Sequence, residues 1–156
     1  MKQHHYRTTL EWTGNTGAGT QDYRAYSRNH TLTAMDKQHP ILGASDPSFR
    51  GDKTRYNPEE LFLSSLSACH MLWYLHLCSV HQVVVTEYRD AATGVMEEDK
   101  SGGGHFTAVT LHPQVTVQDS SMIDKADKLH EEANKMCFIA NSCNFPVGHQ
   151  PQTKVQ

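Results

Sequence analysis

The sequence lacks several features that would assign its 156 residues to a specialised class of protein. It has only four cysteines and no C-x-x-C pair, which argues against a zinc ribbon and against a disulfide framework. It has no excess of basic charge, because 17 acidic residues outnumber 14 lysines and arginines. We therefore expect no nucleic-acid partner, and expect the partners to be small molecules or further copies of the chain.

Residues 1–30 contain no apolar run, since charged residues such as Lys2, Arg7 and Glu11 recur through them. A secretory signal peptide requires such a run, so we expect a cytoplasmic protein whose cysteines begin as free thiols. The stretch 61–80 is apolar and close to the ~20 residues that cross a bilayer. Serines and histidines interrupt it and no basic cluster flanks it, so we expect a buried helix and no membrane partner.

The length fits one domain over residues 1–156. Residues 6–12 and 23–34 are rich in threonine and aromatic residues and flank a glycine-rich turn, which predicts a β-hairpin. Residues 35–56 carry two prolines and two glycines without sustained periodicity. We expect a long loop there, of the kind that is often functional.

A helix start follows that loop. Asn57 is a favoured N-cap, Pro58 suits the first helical position, and Glu59 and Glu60 complement the positive end of the helix dipole. Apolar residues then continue on every face as far as Leu77. A helix that is apolar all round lies inside a protein or between subunits, so we predict a long, buried central helix.

Further strands are expected over 83–90, 94–97 and 106–117 as a β-meander, with a final edge strand over 147–155. A second, amphipathic helix is expected to be capped by Ser120 or Ser121. Strands on both sides of a central helix predict an α+β fold with helices packed on antiparallel sheets. The apolar stripe of the second helix, at three- and four-residue spacing, comprises Ile123, Ala126, His130, Ala133, Cys137 and Ala140.

Cys69 lies about 18 Å from the N-cap at roughly 1.5 Å per residue, too far for the helix dipole to activate its thiol. A reactive thiolate there needs a cation from elsewhere, and an arginine is suitable because it stays charged when buried. Without one the residue is inert packing, because free cysteine is among the most buried residue types. The residues alone favour packing and leave chemistry open. Arginines in the preceding segments are Arg24, Arg28, Arg50 and Arg55.

If the stripe of the second helix packs on the first helix, facing Cα atoms lie roughly 4–5 Å apart, so Cys137 could reach Cys69. Cys78, nine residues after Cys69, faces away from that contact. Cys143 lies beyond the second helix and is a competing partner.

Two segments resemble a known family: NPEELFLSSLSACH, residues 57–70, and ANKMCFIANS, residues 133–142. Glu59 precedes the first cysteine by ten residues, and the two cysteines are 68 residues apart. With this spacing and this order of elements, the chain resembles the osmotically inducible protein C and organic hydroperoxide resistance proteins, which are thiol-dependent peroxidases. The resemblance implies an OsmC-like fold, an intertwined homodimer, and no metal or other cofactor.

By position, the resemblance implies that Cys69 is the peroxidatic cysteine and Cys137 the resolving cysteine. It also implies that Glu59 orients an activating arginine, for which Arg50 in the preceding loop is preferred. Arg55 and Arg24 are the alternatives. Glu59 and Cys69 are about 15 Å apart along one helix, so we expect Glu59 and its arginine to serve the partner's site. The implied substrate is an organic hydroperoxide, with hydrogen peroxide as a further substrate, and the implied reductant is a dithiol such as a lipoyl group.

Two residues depart from the family pattern: Phe138 stands where a proline usually follows the resolving cysteine, and His70 where an apolar or aromatic residue often follows the peroxidatic one. We expect His70 to be packed or hydrogen-bonded, because adjacent helix residues point about 100° apart. The departures leave open a second hypothesis, an OsmC-fold protein that binds a small apolar ligand without peroxidase activity. A thiolate metal site is the third.

Overall fold

The computed structural model describes all 156 residues, which divide into two compact units, Met1–Leu61 and Phe62–Gln156. The expectation of one domain over residues 1–156 stays a prediction. The elements are mixed α and β, as the sequence predicts, with two α-helices and three sheets of three strands each.

The first unit contains an antiparallel sheet in the order β1-β2-β3. Its strands are β1 (Thr9–Trp12), β2 (His30–Thr33) and β3 (Ile41–Gly43). The pairing of β1 with β2 confirms the predicted hairpin, although the strands are shorter than expected. The predicted loop 35–56 contains β3 and a 3₁₀ turn at Pro47–Phe49. A strand of three residues is too short to leave a periodic signal in the sequence.

Helix α1 (Pro58–Val80) begins where its sequence predicts. The Asn57 side chain accepts a hydrogen bond from the Glu60 backbone N–H at 2.7 Å, and the Glu60 carboxylate accepts one from the Asn57 N–H at 3.1 Å. This reciprocal pair satisfies amide groups at the helix start that have no partner within the helix. The length and composition of α1 would also allow it to cross a membrane. The core helices of soluble proteins meet the same two criteria.

The burial of α1 in the single chain is one-sided. Leu66, His70, Tyr74 and Leu77 recur at three- and four-residue spacing, and each has at most 7% of its surface exposed. On the opposite side, Leu72 is 63% exposed. The predicted central helix is therefore present, but part of its apolar surface stays uncovered.

The second unit contains two sheets, in the orders β4-β7-β9 and β5-β6-β8. β4 pairs with β7 and β5 pairs with β6, so the hairpins are nested and the predicted meander is wrong. The predicted strand 106–117 divides at His112, whose backbone N–H donates to Asp90 Oδ1 at 2.7 Å. The strands are β4 (Val85–Asp90), β5 (Thr93–Glu98), β6 (Gly104–Leu111), β7 (Pro113–Val117), β8 (Val147–His149) and β9 (Gln152–Val155).

The predicted edge strand 147–155 also divides, into β8 and β9 on either side of Pro151. Both strands pair in parallel, β8 with β6 and β9 with β7, so neither sheet is purely antiparallel. Proline has no N–H to donate to a ladder, which accounts for the break between the two strands.

Helix α2 (Ile123–Met136) follows a 3₁₀ turn capped by Asp119, whose carboxylate accepts from the Ser121 N–H at 2.8 Å, so the cap is not a serine. The predicted stripe is buried at Ala126, His130 and Ala133. It ends earlier than its periodicity suggests, because Cys137 is the C-cap, with extended backbone angles of φ −68° and ψ 109°. Cys137 therefore terminates the helix.

Candidate functional site

Cys69 lies in the middle of α1 and is half-buried as a free thiol. It lies about 60° round the helix from the buried Leu66 and about 140° from the buried Tyr74, at the margin of the face that packs on the core. The thiol borders an apolar pocket of about 400 Å³, whose other lining residues are Leu72, Trp73, His76 and Phe138. A small solute can therefore reach the sulfur from this pocket.

Aromatic rings form much of that pocket wall. Trp73 meets Phe138 edge to face, with ring centroids 5.5 Å apart and planes at 81°, and meets His76 at 5.9 Å and 75°. Edge-to-face contacts of this kind hold aromatic rings in a defined mutual orientation. The wall is thus an ordered apolar surface, with the Cys69 thiol at its margin.

Cys137 lies beside Cys69 but is almost fully buried, with 1% of its surface exposed. Burial, with a smaller contribution from the neighbouring Cys69 thiol, raises the pKa of the Cys137 thiol to about 11. The Ala140 backbone N–H, which donates to Cys137 Sγ at 3.5 Å, opposes the shift. Cys137 is therefore a protonated thiol at neutral pH. The two sulfurs differ in access although they are neighbours.

The other two cysteines have different surroundings. Cys78 belongs to the main core cluster, and burial raises the pKa of its thiol. The Cys143 thiol donates a hydrogen bond to the Ile139 carbonyl at 3.2 Å. Neither lines the pocket beside Cys69.

The candidate arginines lie in the first unit. Arg50 is exposed and has a left-handed backbone conformation, φ 63°, at the end of the 3₁₀ turn. Arg55 forms an ion pair with Asp52 at 3.6 Å, Arg28 stacks over two tyrosine rings at 4.3 and 4.2 Å, and Arg24 is exposed. Which arginine activates a cysteine stays a prediction.

Glu59 lies in the first turn of α1, and its Oε2 atom is buried without a hydrogen-bond partner. The chain contains a single ion pair, which does not involve Glu59, so the structure does not bring Glu59 together with Arg50. A buried carboxylate oxygen without a partner is energetically costly. The single chain thus leaves this oxygen without a hydrogen-bond donor.

A cluster of three histidines contains His70 and His130, which are buried, and His149, which is partly buried. His70 Nε2 and His130 Nδ1 are 3.0 Å apart, and the His149 ring lies 5.6 Å and 6.1 Å from their ring centroids. The position of His130 in the buried stripe could have indicated this contact, whereas His149, on a three-residue strand, gave no signal. No three His, Cys, Asp or Glu side chains are arranged to hold a metal ion.

Comparison with known proteins finds a matching family and similar solved structures. The profile of the family described as OsmC-like protein matches residues 51–150. An OsmC-like protein of unknown function from Vibrio cholerae aligns with a TM-score of 0.85 and 29% identity, over 96% of this chain and all of the other. No curated protein matches the sequence.

Two organic hydroperoxide resistance proteins share the fold at lower identity. The protein from Elizabethkingia anophelis aligns with a TM-score of 0.68 and 18% identity, over 99% of this chain and 100% of the other. The protein from Legionella pneumophila aligns with a TM-score of 0.68 and 19% identity, over 98% of this chain and 100% of the other. These alignments extend the fold over nearly the whole chain.

Proposed function

Because the chain belongs to the OsmC-like protein family, we propose that it is a cysteine-dependent peroxidase that reduces organic hydroperoxides to alcohols. The observation that carries the proposal is the pair of unlike thiols, Cys69 at the edge of an apolar pocket and Cys137 buried beside it. Two organic hydroperoxide resistance proteins with the same fold support the choice of substrate class.

In the first step, the Cys69 thiolate attacks the terminal oxygen of the hydroperoxide. The O–O bond breaks, the distal oxygen stays on sulfur as a sulfenic acid, and the alkoxide leaves and takes up a proton as an alcohol. A guanidinium close to the sulfur favours the thiolate and stabilises the leaving oxygen. We assign that role to Arg50.

In the second step, the Cys137 thiol attacks the sulfenic sulfur of Cys69. A disulfide forms, and the hydroxyl leaves with the thiol proton as water. Because Cys137 stays protonated, it supplies that proton and does not compete with Cys69 for the peroxide. A dithiol, such as a lipoyl group, then reduces the disulfide by two exchange steps and is itself oxidised.

We assign the second copy of the chain a part in the site. The buried, unpartnered Oε2 of Glu59 supports this assignment, because a guanidinium held against it would supply the hydrogen-bond donor that this oxygen lacks. The exposed apolar side of α1, with Leu72 at 63% exposure, supports a homodimer. In that dimer, Glu59 holds Arg50 toward the cysteine of the partner.

The proposal is tested by the rate at which the purified protein oxidises dihydrolipoamide with cumene hydroperoxide as the oxidant. We expect Cys69→Ser to lose at least about 10³-fold in rate, because the hydroxyl is a far weaker nucleophile than a thiolate. Cys143→Ser is the matched control and is expected to retain the rate. Equal rates for the wild type and Cys69→Ser would exclude the proposal.

A second candidate function is the binding of a small apolar ligand without turnover. The aromatic wall formed by Trp73 and Phe138 favours it, because such surfaces suit apolar ligands. Mass spectrometry after one equivalent of cumene hydroperoxide separates the two functions. A disulfide between Cys69 and Cys137 supports the peroxidase, whereas four unmodified thiols favour the binding protein.

A further inference from the structure

A buried hydrogen bond joins the two helices that carry the paired cysteines. His70, on α1, and His130, on α2, have no exposed surface, and His70 Nε2 lies 3.0 Å from His130 Nδ1. Their rings are coplanar within 3°, with centroids 5.3 Å apart. This is the arrangement of an N–H donor on one ring pointing at the lone pair of the other.

A second contact fixes the position of His130. Its ring stacks on Tyr74, with centroids 3.8 Å apart and planes at 9°. Tyr74 follows His70 by four residues, so the two side chains extend from successive turns of the same helix face. His130 is therefore held by its edge and by its face, which fixes α2 both along and around α1.

Both cysteines lie close in sequence to this pair of histidines, one on each helix. Cys69 precedes His70 by one residue, and Cys137 ends α2 seven residues after His130, about two helical turns later on the same side. A disulfide tolerates only a narrow range of Cα separations, about 4.4–6.8 Å. A slip of α2 by one residue moves it by about 1.5 Å, which is a large part of that range.

We propose that the hydrogen bond between His70 and His130 is a positioning bridge that holds Cys137 within bonding distance of Cys69. The catalytic meaning of the bridge depends on the proposed peroxidase function. Its effect on the disulfide does not, because oxidation by any thiol oxidant forms the same bond, removing two hydrogens from the two thiols. His70 and His130 are positioning residues, since neither contacts the pocket beside Cys69.

The bridge requires at least one neutral ring, because an N–H···N hydrogen bond needs a donor and an acceptor and two imidazolium rings offer only donors. Burial, with smaller contributions from neighbouring histidines, lowers the pKa of His70 to about 4 and that of His130 to about 3. Asp90 on β4 opposes the shift at His70. Other titratable groups around the pair are Tyr74 on α1, Tyr88 on β4, His149 on β8 and Glu131 on α2, which acts on His149.

The test compares His130→Asn with His130→Leu. Asparagine keeps a polar atom at the position of Nδ1, whereas leucine has a similar shape and no hydrogen-bonding group. The measurement is the equilibrium between the reduced protein and its Cys69–Cys137 disulfide in glutathione redox buffers at neutral pH, read by thiol trapping and mass spectrometry. We expect leucine to lower the equilibrium constant roughly tenfold and asparagine to restore most of the loss.

His112→Leu is the matched control, because His112 contacts Thr93 at 3.1 Å and lies outside the cluster. It is expected to leave the equilibrium constant unchanged. Equal constants for the wild type and His130→Leu would overturn the proposal, and so would equal losses in the leucine and asparagine variants. If His130→Leu does not fold, ¹⁵N-histidine NMR of the wild type decides, because absence of a scalar coupling across the two nitrogens would also overturn it.

The outcomes distinguish this proposal from the peroxidase proposal. A wild-type protein that ignores hydroperoxides but shows the expected difference between the leucine and asparagine variants retains the bridge and loses the proposed function. A protein that reduces hydroperoxides, but whose disulfide equilibrium is the same in all variants, retains the function and loses the bridge.

Discussion

The two sides of α1 have different surroundings, and the change occurs between two consecutive residues. Cys69 borders an open apolar pocket, whereas His70, the next residue, has no exposed surface and is hydrogen-bonded to another helix. Adjacent helix residues point about 100° apart, so one element can present a reactive group to solvent and anchor itself in the core. In the proposed function the accessible side carries the chemistry, and in the proposed bridge the buried side holds the Cys137 thiol in place.

The variant expected to have the largest effect replaces Cys137, the buried member of the thiol pair. We expect Cys137→Ser to lower turnover with a dithiol roughly 100-fold, because the sulfenic acid on Cys69 then has no neighbouring thiol. The first equivalent of hydroperoxide should still be consumed at the wild-type rate. Single-turnover kinetics and trapping of the sulfenic acid with dimedone measure both effects, and a wild-type turnover rate would show that another group resolves Cys69.

The buried side is expected to make the protein sensitive to acid. The pKa of His70 is lowered from 6.5 to about 4 in the folded protein, so the unfolded chain binds the proton first as the pH falls. The free energy of unfolding is therefore highest above about pH 6.5 and falls by the order of 3 kcal/mol toward about pH 4. Urea unfolding, followed by tryptophan fluorescence across this range, measures the loss.

The matched variant for that measurement is His70→Gln, which keeps a polar atom at the position of Nε2 but does not titrate. We expect its stability to depend less steeply on pH over the same range. A slope equal to that of the wild type would assign the acid sensitivity to other groups.

On the accessible side, Phe138→Ala removes part of the pocket wall. We expect the KM for cumene hydroperoxide to rise roughly fivefold, because an aromatic contact worth about 1 kcal/mol is lost, with a smaller change for tert-butyl hydroperoxide. Met136→Ala is the control, since Met136 is an exposed apolar residue outside the pocket wall. Equal KM changes for the two substrates would mean that Phe138 does not contact the organic group.

The smallest effect is expected at the start of α1, which belongs to neither side. Asn57→Ala removes the side-chain acceptor for the Glu60 N–H and should lower the free energy of unfolding by about 1 kcal/mol. The exposed Asn144 provides the control as Asn144→Ala. A fall in peroxidase rate at constant stability would instead link the cap to catalysis.

Local chemistry in the sequence predicted the start of α1 well, because Asn57 and Glu60 act on their own turn. The contact of Cys137 with Cys69 also followed from the spacing of a buried stripe. The same periodicity continues beyond Cys137, so it could not reveal that α2 stops there. The end of a helix depends on where the following backbone finds its partners, which a repeat of apolar residues does not record.

The sequence did not predict which strands pair with each other over long distances along the chain. Phe106 and Val117 lie on different sheets although the residues between them form one apolar alternation. Nothing in a strand states which neighbour it chooses, because the pairing depends on packing across the whole sheet. The sequence did not predict that His149 lies beside the other two histidines for the same reason, because its position depends on the pairing of β8 with β6.

The parallel pairing of β8 and β9 has a consequence for synthesis. Each of these strands pairs with a strand that is synthesised earlier. During translation, one edge of β6 and one edge of β7 therefore stay unpaired until residues 147–155 have been added. An open edge is a template for pairing with another chain. Translation products that stop before residue 147 are therefore expected to aggregate, and the addition of residues 147–155 ends that risk.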